Sequence, residues 1–130
     1  MGGNTMINGL PTTEMQLQEL KRISPHISAL IDSERAQEDD PLPKDRLAFL
    51  DLCQRTGVRC HVLRRRALEN YWNDAAVSAT CGSAFRALQP FQQLKEISPS
   101  WPKANNWQIA RAMQKSDLVT TDLGVFLNDL

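Results

Sequence analysis

"ISALIDSER", residues 27–35, is the stretch on which the fold turns. Its first five residues form a short, largely apolar and β-branched run without regular polar alternation. Such a run suits a strand covered on both faces, as in a parallel sheet. It ends abruptly in Asp32, Ser33 and Glu34. Two carboxylates one residue apart have two explanations: the strand surfaces into a solvated loop, or it delivers two acids to a metal ion.

The flanking sequence extends the first element into a unit. "ERAQEDDPLP", residues 34–43, is a charged loop closed by two prolines. Pro43 suits the first turn of a helix. That helix should run to about Thr56, with Leu47, Leu50 and Cys53 on one face, flanked by Phe49 and Leu52. Gly57 is placed to be its left-handed C-cap. "VRCHVL", 58–63, reads as a second strand. Strand, helix and strand then have the lengths of a parallel crossover unit. Upstream, Thr12 or Thr13 can cap a helix whose Met15, Leu17, Leu20 and Ile23 make an apolar face, stopped by Pro25.

Downstream of Arg64 no strand is legible. "RRRALENYWNDAAVSA" (64–79) and "SAFRALQPFQQLKEI" (83–97) read as helices, the second broken near Pro90. "SPSWPKANNW" (98–107) reads as a loop, and "WQIARAMQK" and "TDLGVFLNDL" as two closing helices, the last capped by Thr120 or Thr121. The expectation is one α/β domain over 1–130: a loop or frayed start at 1–11, an α/β core at 12–73 and a helical part at 74–130.

Bulk composition narrows function only a little. Lys plus Arg and Asp plus Glu are 15 each in 130 residues, so the net charge is zero. Nothing global points to a nucleic-acid or membrane partner, and any such surface must come from local segregation of charge. No apolar run approaches the ~20 residues of a membrane span. No basic region followed by an apolar stretch marks a secretory signal. Cys53, Cys60 and Cys81 include no CxxC pair and read as reduced thiols. A soluble cytoplasmic protein is the expectation.

Ligands of open parallel sheets bind beyond the carboxyl ends of the strands. Asp32 closes the first strand, Glu34 follows on the same side if the chain stays extended, and Glu69 comes soon after the second strand. Three oxygen donors without histidine would make a Mg²⁺ or Mn²⁺ site, not a zinc site. The plainer alternatives are a solvated strand end and, for Glu69, an acid favoured by a helix N-terminus. Arg64, Arg65 and Arg66 can hold DNA phosphates, or pair with the acids at 38–40. Trp72, Trp101 and Trp107 read as packing residues rather than base-stacking platforms. Tyr71 is expected half-buried behind Glu69. His26 and His61 read as structural, and Ser33 lacks the surroundings of a nucleophile.

"ALIDSER … LAFLDLCQRTGVRCHVLRRRALENYW" resembles the Toprim domain of the overcoming-lysogenization-defect (OLD) family of ATP-dependent endonucleases. There an acidic D-x-D motif ends a hydrophobic strand, and a segment of the type R-R-E-x-E-N-Y follows the next strand; here it is "RRRALENYW". "GGNTMINGL" and "NNWQIARAMQKSDLVTTDLGVFLNDL" resemble the family's Gly-rich turn and closing helices. The resemblance implies a small parallel-sheet, Toprim-like (Rossmann-like) core with a helical C-terminal half. It implies a metal-dependent DNA endonuclease in a phage-defence setting. Asp32 and Glu34 would be the metal-binding pair, Glu69 an acid near a second Mg²⁺ or Mn²⁺, and Lys103, less so Lys115, the charge-stabilising lysine.

The sequence departs from that pattern in two places. Glu34 stands where the family has Asp. The upstream strand with its E-G-x-x-D motif is not present, so the core is expected to be N-terminally truncated, and no GxxxxGK[ST] phosphate loop for ATP occurs. The partners implied are DNA, an ATPase subunit or the missing N-terminal part, and a second copy in a homo-oligomer. The alternative from another class is a non-catalytic interaction or dimerisation module, or a degenerate remnant of such a nuclease.

Overall fold

The computed structural model describes residues 14–130. The Gly-rich start and the cap at Thr12 or Thr13 lie outside the described residues. Helix α1 (Glu14–Ile23) leads into β1 (Ser28–Ile31), α2 (Lys44–Thr56) and β2 (Arg59–Val62). The two strands pair in parallel, Ser28 against Arg59 and Ile31 against Val62, and form a two-stranded sheet among the described residues. The expected strand, helix and strand are therefore present. Pro43 is the residue preceding α2, one position earlier than expected. Gly57 ends α2 at φ 73° and ψ 24°, its N–H bonding back to the carbonyls of Cys53 and Gln54. That left-handed conformation is one in which a Cβ is strained.

The absence of polar alternation in β1 has a direct cause. Leu30 belongs to one core, with Leu63, Trp72, Val77, Ile109 and Phe126. Its neighbours Ala29 and Ile31 belong to another, with Leu17, Phe49, Leu52 and Cys53. Both faces of the strand are thus covered, α1 and α2 on one side and the C-terminal half on the other. The buried face of α2 is Phe49, Leu52 and Cys53; Leu47, expected on it, is 52% exposed. Positions 49, 52 and 53 follow the i, i+3, i+4 spacing of a helix stripe more closely than 47, 50 and 53 do.

The helix expected over 64–79 does not form as such. Residues 64–67 are irregular, Leu68–Tyr71 is a 3₁₀ turn, and α3 (Asp74–Cys81) begins only after Asn73, whose side chain caps it by accepting the Ala76 N–H at 2.9 Å. The reason lies in the backbone donors. The N–H groups of Arg64, Arg65, Arg66, Ala67 and Leu68 go to Asp122 Oδ2, Tyr71 Oη, the Pro90 carbonyl, Asn70 Oδ1 and Asp32 Oδ1. Five successive donors have non-helical acceptors, so helix propensity is overridden by tertiary partners.

The helix expected over 83–97 is likewise replaced by irregular chain with one 3₁₀ turn, Leu94–Glu96. The expected loop 98–107 contains a further turn, Lys103–Asn105, and α4 (Asn106–Ala112) starts inside it. Two short helices follow, α5 (Lys115–Leu118) and α6 (Asp122–Asn128). Thr121 caps α6, accepting the Gly124 N–H at 3.0 Å. Trp72 and Trp101 are buried and both donate to Asn106 Oδ1, at 3.3 and 2.8 Å. Trp107 departs from the packing expectation; it is 57% exposed, with the Arg111 guanidinium 5.7 Å from its ring centroid. No helix among the described residues is long and apolar enough to cross a membrane.

Candidate metal and phosphate site

The parallel sheet sends both strands toward the same edge, and the chain leaving β1 is fixed there at every residue. Asp32 accepts the Leu68 N–H on Oδ1 at 3.1 Å, and its own carbonyl accepts Arg46 Nε at 3.0 Å. Ser33 is fully buried and donates its hydroxyl to the Arg65 carbonyl at 2.8 Å. Its hydroxyl acts as a strut between the two segments, a role the sequence did not indicate. Glu34 donates its N–H to the Arg66 carbonyl at 2.9 Å. The segment 32–34 is therefore laced to 65–68, the segment that leads directly into Glu69.

Glu34 has φ 58°, so the chain is not extended there, and the expectation that it simply repeats Asp32 on one strand face is corrected. Its carboxylate lies 3.2 Å from Arg66 and 3.7 Å from Arg46. Two guanidinium groups already neutralise it. Arg66 also donates to the carbonyls of Glu34 and Arg35, at 3.1 and 3.0 Å.

Glu69 is only 6% exposed, on the 3₁₀ turn. Lys103 Nζ stands 3.3 Å from Oε1, and Asn106 Nδ2 is 3.5 Å from Oε2. A buried carboxylate needs such partners, because burial of an unpaired charge is costly. Burial pushes the Asp32 carboxyl above the usual range, and the nearby charges of Glu69 and then Glu34 push the same way; the Leu68 N–H and Lys103 oppose them. Asp32 and Glu69 thus share one electrostatic neighbourhood, where a bound cation would relieve their repulsion.

Beside these groups is a cleft of about 300 Å³, lined among others by Glu34, Arg66, Glu69, Asn70 and Lys103. Of the two lysines considered, Lys103 reaches the acids, while Lys115 sits on α5 against a different cavity. Among the described residues, no three His, Cys, Asp or Glu side chains are grouped to hold an ion by themselves. Asp32 and Glu69 are the candidate carboxylates for holding a hard cation here. Mg²⁺ suits such a set, since it keeps waters and takes one or two carboxylates plus substrate phosphates.

The basic run divides its work. Arg64 is exposed and bonds Glu38, within the acidic stretch expected to pair with it. Arg65 lies over the Tyr71 ring at 4.8 Å and donates to the Asn70 carbonyl at 2.9 Å. Arg66 reaches the cleft but is held by Glu34.

A second polar cluster escaped the sequence reading. Asp122, at the start of α6, is 2.8 Å from His61 Nε2 and accepts the Tyr71 hydroxyl at 2.7 Å and the Arg64 N–H at 2.9 Å. Burial pushes its carboxyl up, but the three hydrogen bonds outweigh it and bring it down to about 2. Tyr71 is buried, not half-buried, and burial raises its hydroxyl well above the usual range. Asn70 and Asn106 were also missed. For Asn70 the signal was its place with Asn73 bracketing "YW" at 70–73, residues that favour caps and turns over helix interiors; Asn106 had none.

No protein-family model, no curated protein and no solved structure matches this chain.

Proposed function

We propose that the chain carries the acidic, cation-holding part of a divalent-metal-dependent site for phosphodiester hydrolysis in DNA, of the Toprim type found in OLD-family endonucleases. The observation that supports this is the convergence of Asp32, buried Glu69 and Lys103 at the carboxyl end of β1. Asp32 and Glu69 are the residues that would hold Mg²⁺ or Mn²⁺. The ion, when bound, supplies an activated water and neutralises charge on the phosphoryl oxygens. Lys103, oriented by Glu69, would offset negative charge developing at the phosphorus. Arg46 and Arg66 hold Glu34, so in this reading Glu34 shapes the site rather than ligating the ion.

Calorimetric titration with Mn²⁺, on the wild type and on Asp32→Ala, tests the proposal, with plasmid nicking run alongside. Binding that disappears in the variant, together with nicking by the wild type, is the expected result. A folded wild type that binds no Mn²⁺ at millimolar concentration overturns it. The doubly paired Glu34 favours a second reading, a non-catalytic binding module; metal binding without nicking would select that one.

A further inference from the structure

One wall of the cleft comes from a part of the chain that no motif marked. Gln92, Gln93, Leu94 and Lys95 line it, in the same cleft as Glu69 and Lys103. This stretch has little regular structure, yet it is tied down along its length. Asn70 is 1% exposed and donates through Nδ2 to the carbonyls of Gln89 and Gln92, both at 2.7 Å. The Arg66 N–H reaches the Pro90 carbonyl at 3.0 Å. Glu96 accepts the Gln93 N–H at 2.6 Å, closing the turn on which Lys95 sits. Asn70 directly follows Glu69, so one 3₁₀ turn both carries the acid and anchors this wall.

The chemistry of this wall is that of a hydrogen-bond donor surface. Lys95 is exposed and, among the described residues, is in no ion pair, unlike Arg64, Arg66 and Lys103. Gln92 has its Oε1 engaged by the Gln89 N–H at 3.1 Å, so its NH₂ is the end it can offer a ligand. The cleft thus combines the ion-paired acids Glu34 and Glu69 with a lysine and glutamine amides from residues 92–95. Groups of this kind position a nucleic-acid backbone without reading its sequence. A buried, doubly satisfied asparagine fixes geometry in a way a merely solvated loop does not require.

We infer that Gln92–Lys95 is the docking wall for the phosphodiester backbone of a nucleic-acid strand, with Lys95 contacting a phosphate and Asn70 acting as the positioning residue that holds the wall against the acids. The inference rests on the phosphodiester reading above for its substrate class, and its test separates the two.

Anisotropy of a fluorescein-labelled phosphorothioate single-stranded oligonucleotide gives the affinity of the wild type, Lys95→Gln, Lys95→Glu and, as a remote control, Lys115→Gln, in EDTA and in Mn²⁺. Lys95→Gln should bind about fivefold more weakly, the worth of one unit-charge contact in water. Its log–log salt dependence should become shallower by about 0.7, the loss of one single-strand phosphate contact. Lys95→Glu should be weaker still, and Lys115→Gln should match the wild type. The inference is overturned if Lys95→Gln matches Lys115→Gln in both affinity and salt slope. It is also overturned if the wild type binds no oligonucleotide, or if a mononucleotide or inorganic phosphate displaces it with equal affinity, which would mean a single-phosphate pocket. Mn²⁺ calorimetry on the same proteins judges the metal reading separately: a wild type that binds the oligonucleotide in EDTA but takes up no Mn²⁺ sinks that reading and leaves the wall standing.

Discussion

Asp32 Oδ1 accepts the backbone N–H of Leu68 at 3.1 Å, joining the end of β1 to the turn that carries Glu69. The bond survives in Asp32→Asn, whose amide oxygen can accept the same N–H, but the charge does not. Burial and the Glu69 carboxylate raise the folded-state pKa of Asp32 above its ordinary value. The folded protein therefore holds the proton more tightly than the unfolded chain, and ionisation costs stability as pH rises through that window. Asp32→Asn is expected to melt at a higher temperature than the wild type at pH 7 in EDTA. Adding Mn²⁺ should reverse the order, since about a hundredfold excess over Kd stabilises only the binding-competent protein, by about 2.7 kcal/mol. Differential scanning calorimetry with and without the ion reads both effects.

Asp122 gives the opposite pH signature. Its pKa is lowered to about 2, so its contribution is fully present above the ordinary Asp value and is lost as pH falls through about 2. Asp122→Ala strands the Tyr71 hydroxyl and the Arg64 N–H and releases His61 from α6. A loss of about 3 kcal/mol at pH 7 is expected, from charge-assisted bonds and stranded donors. Urea denaturation from pH 7 down to pH 2 should show the gap between wild type and variant closing in acid.

Asn70→Ala removes two bonds to backbone carbonyls and the acceptor for the Ala67 N–H. Partners left buried and unpaired should cost about 2–4 kcal/mol in urea unfolding. Asn70→Asp should be no milder, because a carboxylate would face the carbonyls of Gln89 and Gln92. A variant as stable as the wild type would remove Asn70 from the architecture of the cleft.

Gly124 is tolerated in α6 for a steric reason. A Cβ there would run into the Leu118 backbone carbonyl, on the neighbouring helix α5. Gly124→Ala, which ordinarily favours a helix, should here destabilise by about 1–3 kcal/mol through overpacking. The melting temperature should fall rather than rise.

The strand, helix and strand at 27–63 could be read from the sequence because their signals are local. β1 is apolar on both faces, Gly57 is a left-handed cap, and the helix between them has the length of a crossover. That the chain leaving β1 meets the turn carrying Glu69 is what parallel strands ending at one edge lead one to expect. The chain from 64 to 73 could not be read this way. Ala67, Leu68 and Glu69 favour helix locally, and what prevents it is a set of acceptors at positions 32, 70, 71, 90 and 122. Lys103 was singled out, but its pairing with Glu69 is a matter of tertiary placement. Glu34 looked like a ligand by spacing; only its positive φ and two arginines show its different surroundings.

The five consecutive N–H groups from Arg64 to Leu68 bear on how this protein opens. An irregular segment ordinarily exchanges its amide hydrogens for deuterium quickly, through small local fluctuations. Here three of the acceptors, Asp32 after β1, Pro90 and Asp122 in α6, lie far along the chain, and freeing the stretch requires those tertiary ties to break together. Those amides should exchange with the slow core, making a segment without regular secondary structure one of the last parts of the chain to take up deuterium.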